Sequence, residues 1–203
     1  LAHDSSFLLR DVFFFFNTGP IHDPPSCLGR FKGGKATGTK ASADDWDCGT
    51  LAFTFNTAEA FWAMYNNITP ASKLPDKSDY YLFVDGIKPK YEDPQNAGGG
   101  EWRISIPRGR GGDKHPNHRF LDEWFLHTCL GSIGEILDES GSVISGVAVN
   151  IRKREDRVAI WTRTSDQAKV TEVGKRLREL LQVDDKIGIK FQTYAEGKVI
   201  IEA

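Results

Sequence analysis

Trp46 stands in the run Asp44-Asp45-Trp46-Asp47, at the end of a loop-like stretch where nothing in the local pattern asks for a large apolar side chain. Tyr91 stands in a second such run, Lys88-Pro89-Lys90-Tyr91, with the carboxylate of Glu92 directly after it. A flat aromatic face carried on a loop is a candidate stacking platform; the alternative is that each ring covers its own loop. Arg152, Arg154 and Arg157 crowd a polar stretch just before Trp161, either as an anion site or as a solvated charged turn. Catalytic patterns fail on inspection. Gly29 to Lys35 nearly spells a phosphate-binding loop, but Ala36 takes the place of the hydroxyl that would hold magnesium, and no helix-forming run follows. No G-x-S-x-G turn is present for a serine hydrolase. His115 and His118 flank Pro116 in a glycine-rich run with no third ligand nearby, and Glu92-Asp93 precede Pro94 in a turn, where solvation explains them. The chemistry on offer is binding, with no metal and no cofactor expected.

Those residues need a scaffold. The chain has 203 residues, 39% hydrophobic and 27% charged, enough for one globular domain with a full core. A net charge of −2 excludes a broadly basic nucleic-acid coat, so any anion site is a local patch. Three cysteines, Cys27, Cys48 and Cys129, give neither a disulfide framework nor a zinc knuckle, which fits a reducing, cytoplasmic setting. No apolar run reaches membrane-span length, and no secretory leader is recognisable at the first residues. Residues 8–16 read as an aromatic strand, residues 18–45 as a long Gly, Lys, Ser and Thr-rich loop, and residues 50–55 as a second strand. Asn56 and Glu59 form a capping box for a helix carrying Ala58, Phe61, Trp62 and Tyr65. Residues 101–106 alternate as a strand with Trp102, Ile104 and Ile106 on one face, and a second helix spans about 119–130 with Gly131 and Gly134 as candidate stops. Residues 144–151 and 157–162 form a hairpin about Arg154-Glu155-Asp156. Ser165 caps a third helix striped by Val170, Val173, Leu177, Leu180 and Leu181, and strands at 187–194 and 198–201 follow. Helices interleaved with about eight strands predict an α+β domain, a mostly antiparallel sheet with three helices on one face and the other face free to bind.

Four separated segments carry a resemblance: NTAEAFWAMYNNI at 56–68, YLFVDGIKPKYED at 81–93, IGE at 133–135, and GVAVNIR through DRVAIWT at 146–162. Together they resemble the eukaryotic translation initiation factor 4E family, in the same order from Arg10 to about Tyr194. The resemblance implies a single cap-binding domain over 1–203 with an insertion at 18–45, its curved sheet backed by three helices on the convex face. It implies a non-enzymatic protein that holds the 7-methylguanosine cap of mRNA on the concave face. Trp46 and Tyr91 match the stacking positions, whose electron-rich faces suit a ring made cationic by methylation. Glu92 matches the acceptor for the guanine edge, and Trp161 the contact to the methyl group. Arg152 and Arg154, read as pointing to one side of a strand, and Arg157 match the triphosphate site, with Lys198 a further candidate. On the convex face Ala58, Trp62, Leu126, His127 and Leu130 match the groove for a scaffold or repressor protein presenting a tyrosine-x4-leucine-φ helix. Departures are Tyr91 for the usual tryptophan, Glu101 for a basic residue, His127 for a glutamate, and the long 18–45 loop. Recruiting activator, cap-holding repressor and, in another class, cap-processing enzyme are the functions these residues leave open.

Overall fold

The computed structural model describes residues 8–18, 50–108, 119–184, 187–195, 197 and 199–202. Eight strands form one sheet: β1 (Leu8–Asn17), β2 (Thr50–Thr57), β3 (Ser78–Val84), β4 (Gly100–Pro107), β5 (Ile144–Ile151), β6 (Glu155–Thr162), β7 (Ile189–Thr193) and β8 (Val199–Glu202). Their order is β2-β1-β3-β5-β6-β4-β7-β8, and every described pairing is antiparallel. Three helices, α1 (Ala58–Tyr65), α2 (Leu121–Ile133) and α3 (Gln167–Leu181), lie on the convex face of this curved sheet. The expected α+β class holds. The 18–45 insertion lies outside the described residues apart from Thr18.

Side-chain alternation decides which face each residue serves. In β1, Phe13 and Phe15 are buried toward the helices while Phe14 and Phe16 turn the other way. Phe13 stacks on its register partner Phe55, with ring centroids 5.8 Å apart. In β4, Trp102, Ile104 and Ile106 are buried and the residues between them are not, as the period-two reading requires. The indole N–H of Trp102 donates to the Val170 carbonyl at 2.8 Å. Helix α3 reaches that ring because Gly174 lies flat against it: a Cβ there would stand 2.3 Å from Trp102. One glycine thus sets the distance between helix and sheet.

Several boundaries differ from the sequence reading. Helix α1 is capped by Thr57, whose hydroxyl accepts from the Ala60 amide at 3.2 Å; Asn56 belongs to β2, so the Asn56–Glu59 capping box does not form. Helix α3 is capped by Asp166, accepting from Lys169 at 3.0 Å, and Ser165 lies outside it. Helix α2 runs through Gly131 and stops at Gly134. A Cβ on Gly131 would meet Leu180 at 2.5 Å, so that glycine is a packing device between α2 and α3, not a stop. β6 begins at Glu155, which moves the turn of the hairpin to residues 152–154.

Candidate functional site

The helix-free face is not bare. Phe83, Ile87, Ala148, Ala159 and Trp161 form a second, smaller buried cluster there, with Phe16, Tyr81 and Tyr194 packed against it. Register explains the grouping. Phe83 pairs with Gly146, Gly146 with Trp161, Trp161 with Glu101 and Glu101 with Gln192, so one row crosses β3, β5, β6, β4 and β7. Gly146 leaves the space that the Phe83 ring fills. Phe83 then meets Trp161 edge-on at 5.4 Å, Tyr81 meets it edge-on at 6.4 Å, and Tyr194 lies 5.0 Å away on a tilt. Trp161 is 8% exposed and presents a fixed ring to a depression of about 300 Å³.

Tyr91 closes the aromatic wall. It is 59% exposed and stands 6.2 Å from Tyr194, so Tyr91, Tyr194 and Trp161 run as a chain of rings along the rim. Its loop is pinned from within: the Asn96 side-chain amide donates to the Lys88 and Lys90 carbonyls at 2.9 and 2.8 Å, and Asp93 accepts from the Lys88 amide at 3.1 Å. Glu92 follows on this loop and is exposed, outside the wall of the depression. The carboxylate that does line it is Glu101.

Three guanidinium groups border the depression: Arg103, Arg152 and Arg157. Arg152 pairs with Asp79 at 2.6 Å. Partial burial works against its charge, but the Asp79 carboxylate outweighs that and raises its pKa, so it stays protonated. Arg103 pairs with Glu101 and Arg157 with Glu155, each two residues apart on one face of its strand. The 152–154 turn is anchored by the fully buried Asp156, which takes a two-pronged contact from Arg108 at 2.8 and 3.0 Å and the Arg152 amide at 3.2 Å. Arg154 sits exposed in that turn and does not line the depression; it and Arg152 are not on a common strand face, because neither is in a strand. Trp46 and Lys198 lie outside the described residues.

Sequence reasoning assigned no site role to several residues that line the depression, Arg103 and Tyr194 among them. Arg103 shares its parity with Glu101, opposite to Trp102 and Ile104, and that alternation alone would have put it on the free face. Tyr194 shares parity with Gln192 in the same way. The Tyr194 hydroxyl is buried with no hydrogen-bond partner among the described residues, and burial, then the nearby Glu101, pushes its pKa well up.

On the helical side Trp62 is 39% exposed, braced edge-on by Phe61 at 5.3 Å and Tyr65 at 6.2 Å. Ala58 begins the same helix, while Leu126, His127 and Leu130 are half-buried on α2. The two leucines also pack on the core, so they serve interior and surface together. The Tyr65 hydroxyl donates to the Asp122 carbonyl at 3.2 Å and ties the end of α1 to the start of α2. Among the described residues no helix is long and apolar enough to cross a membrane, and no three His, Cys, Asp or Glu side chains are placed to hold a metal.

Known proteins resemble this chain in sequence and in fold. The family model Eukaryotic initiation factor 4E matches residues 34–199. Eukaryotic translation initiation factor 4E-1 of Schizosaccharomyces pombe is 41% identical over 145 residues, 71% of this chain and 63% of that protein. Eukaryotic translation initiation factor 4E of Candida albicans is 38% identical over 141 residues, 70% of this chain and 65% of that one. The chain thus spans a little under two thirds of the length of these curated relatives. Among solved structures, C. elegans eIF4E-3 in complex with the 4E-binding protein Mextli superposes with a TM-score of 0.77 at 28% identity, covering 98% of this chain and 100% of that one. Ascaris suum eIF4E-3 with the m2,2,7G cap gives 0.76 at 29% identity, covering 97% and 96%. With its matched span, its sheet order and its two-faced layout, the chain belongs to the eukaryotic initiation factor 4E family.

Proposed function

We propose that the protein binds the 7-methylguanosine cap of mRNA in the concave depression and recruits a scaffold protein on its helical face for translation initiation, without catalysing a reaction. The observation that carries this reading is the meeting of an aromatic rim, Tyr91, Tyr194 and Trp161, with three cations, Arg103, Arg152 and Arg157, around one depression. Methylation at N7 gives guanine a positive charge, and electron-rich rings attract such a charge by on the order of 1–2 kcal/mol in a partly desolvated stack. Tyr91 supplies one such face, and Trp46 is assigned the other. Glu92, next to Tyr91, accepts from the guanine N–H groups, while Trp161 meets the methyl group. Arg152 and Arg157 hold the triphosphate, with Arg154 and Lys198 assigned to its outer part. Support comes from the solved Ascaris suum relatives, whose complexes contain m7G and m2,2,7G caps. For the helical face it comes from the C. elegans complex with a 4E-binding protein. Ala58, Trp62, Leu126, His127 and Leu130 form the partner surface, which takes a tyrosine-x4-leucine-φ helix in a cytoplasmic setting.

Titration of tryptophan fluorescence tests the reading. Quenching by 7-methyl-GTP with at least a roughly tenfold preference over GTP is expected from the added cation–π energy. Equal affinities for the two nucleotides would overturn it.

A further inference from the structure

Between the ring assigned to the methyl group and the arginine assigned to the phosphates, the depression has polar groups of its own. Trp161 and Arg157 lie four residues apart on β6, about 13 Å at the usual rise of a strand. Ala159 stands midway on the same face, its small side chain buried in the floor, and its register partner on β4 is Arg103. Glu101 is the register partner of Trp161 and pairs with Arg103 through one carboxylate oxygen, Oε1. The other oxygen of Glu101 takes no hydrogen bond among the described residues. The Tyr194 ring lies 5.0 Å from Trp161, and its hydroxyl is buried without a partner among the described residues. Burial, then the charge of Glu101, keeps the proton on that hydroxyl, so it is available as a donor. Buried hydroxyls are normally paired, and in a depression that takes a ligand the missing partner belongs to the ligand.

We infer that Tyr194 and Glu101 form a subsite for the ribose of the cap guanosine, the Tyr194 hydroxyl donating to the 2′,3′-diol and the unpaired oxygen of Glu101 accepting from it, with Arg103 fixing the carboxylate. The inference rests on the cap-binding reading above and deepens it, from the base and the phosphates to the sugar between them. Placement carries the first part. In 7-methylguanosine the methyl at N7 and the sugar at N9 flank one carbon, C8, so a methyl group on Trp161 brings the sugar out beside it. Phosphates on Arg157 then leave the sugar over the stretch of floor that Glu101 and Arg103 border. Charge carries the second part. Glu101 and Arg103 cancel and Tyr194 is neutral, so the cluster has no net charge to hold a phosphate, which would also meet the Glu101 carboxylate. What it offers is a donor beside an acceptor. Each hydroxyl of a diol both donates and accepts, so the sugar matches that pair, whereas a phosphate only accepts.

Affinities for 7-methyl-GTP and for its 2′,3′-dideoxy analogue, measured by fluorescence titration of wild type, Tyr194→Phe and Glu101→Gln, test this. Wild type is expected to hold 7-methyl-GTP roughly tenfold more tightly, because the dideoxy sugar leaves both Tyr194 and Glu101 without a partner. Tyr194→Phe keeps the ring and its packing. It lowers 7-methyl-GTP affinity roughly fivefold, the scale of one hydrogen bond, and leaves the dideoxy analogue unchanged. Glu101→Gln narrows the ratio of the two affinities as well. Both ligands carry the same triphosphate, so any relief of charge repulsion by that variant cancels in the ratio. Equal binding of the two ligands by wild type, or a Tyr194→Phe protein whose ratio matches wild type, overturns the inference. If wild type still prefers 7-methyl-GTP to GTP in that case, the ribose subsite alone falls. If it binds 7-methyl-GTP and GTP equally, the cap reading falls and takes this inference with it.

Discussion

Gly146 and Phe83 face each other across β5 and β3 so closely that a single methyl group on the glycine would stand 2.4 Å from the ring. The Phe83 ring in turn buttresses Trp161 at the floor of the depression. Gly146→Ala is therefore expected to do two things at once. Overpacking should cost about 1–3 kcal/mol of stability in thermal or denaturant unfolding. The displaced Phe83 should also tilt Trp161 and weaken 7-methyl-GTP binding, whereas an overpacking variant on the helical side, Gly174→Ala, should lose stability with cap affinity kept in the folded fraction.

The arginines divide by position. Arg152→Ala and Arg157→Ala are expected to weaken 7-methyl-GTP binding and flatten its dependence on salt, as loss of a phosphate contact requires. Arg154, exposed in the turn and off the depression, should give a much smaller change in both. A salt series on the three variants decides it; three equal slopes would place none of them on the phosphates.

Glu92→Gln should reduce cap affinity by about 2 kcal/mol, because an amide presents a donor where the guanine edge already donates. The salt slope should stay that of wild type. A Glu92→Gln protein with unchanged affinity would shift the acceptor role to Glu101, the carboxylate that lines the depression.

Stability against pH has two arms. Burial raises the phenol pKa values of Tyr65, Tyr81 and Tyr194, and pushes Tyr80 up to about 12. Their unfolded values lie near 10, so above pH 10 the unfolded chain gives up protons that the folded one retains. The stabilisation is complete below pH 10 and declines as pH rises toward 12 and beyond. On the acid side burial alone would raise the Asp138 pKa, but its bonds from Ser140, Val143 and Ile144 outweigh that and lower it. Its contribution is present above the ordinary carboxylate range and is lost as pH falls below it. Urea unfolding from pH 3 to 11.5 should show a plateau between the two declines, and Tyr194→Phe should make the alkaline decline shallower.

Trp62→Ala should abolish capture of a tyrosine-x4-leucine-φ peptide while leaving cap affinity within about twofold, since the two sites occupy opposite faces and share no side chain. The ring is 39% exposed, so folding should survive the change. Joint loss of both activities would give Trp62 a core role instead.

Much of this layout was legible in the sequence where one face of an element is wet. β4 announced itself through Trp102, Ile104 and Ile106, and α3 through its stripe of Val170, Val173, Leu177 and Leu181, because a half-buried element must alternate. β3 was not delimited as a strand, because Tyr80 and Leu82 are buried on the helical side while Tyr81 and Phe83 enter the smaller cluster, and a strand buried on both faces has no alternation to read. The cap residues Thr57 and Asp166 were each misplaced by one position, since neighbouring Asn, Ser, Thr and Asp compete for the same amides. In the site, Tyr91 stood out by its type and its loop, and the family resemblance supplied its role together with Trp161 and the arginines of the hairpin. It did not supply Arg103 or Tyr194, whose claim rests on strand parity, and it could not show that Arg154 leaves the face when the turn tightens around Asp156.

The strand order carries a consequence for the protein's own synthesis. β4 lies between β6 and β7, and the depression takes Gln192, Thr193 and Tyr194 from the end of β7. Gly100 fits only under Phe191, whose ring would stand 2.7 Å from a Cβ there. The loop bearing Tyr91 and Glu92 is thus seated against residues a hundred positions later in the chain. A nascent polypeptide stalled before β7 would hold most of the helical face and yet have no finished depression, so a newly made molecule would complete the proposed cap site only after residue 194 has emerged from the ribosome.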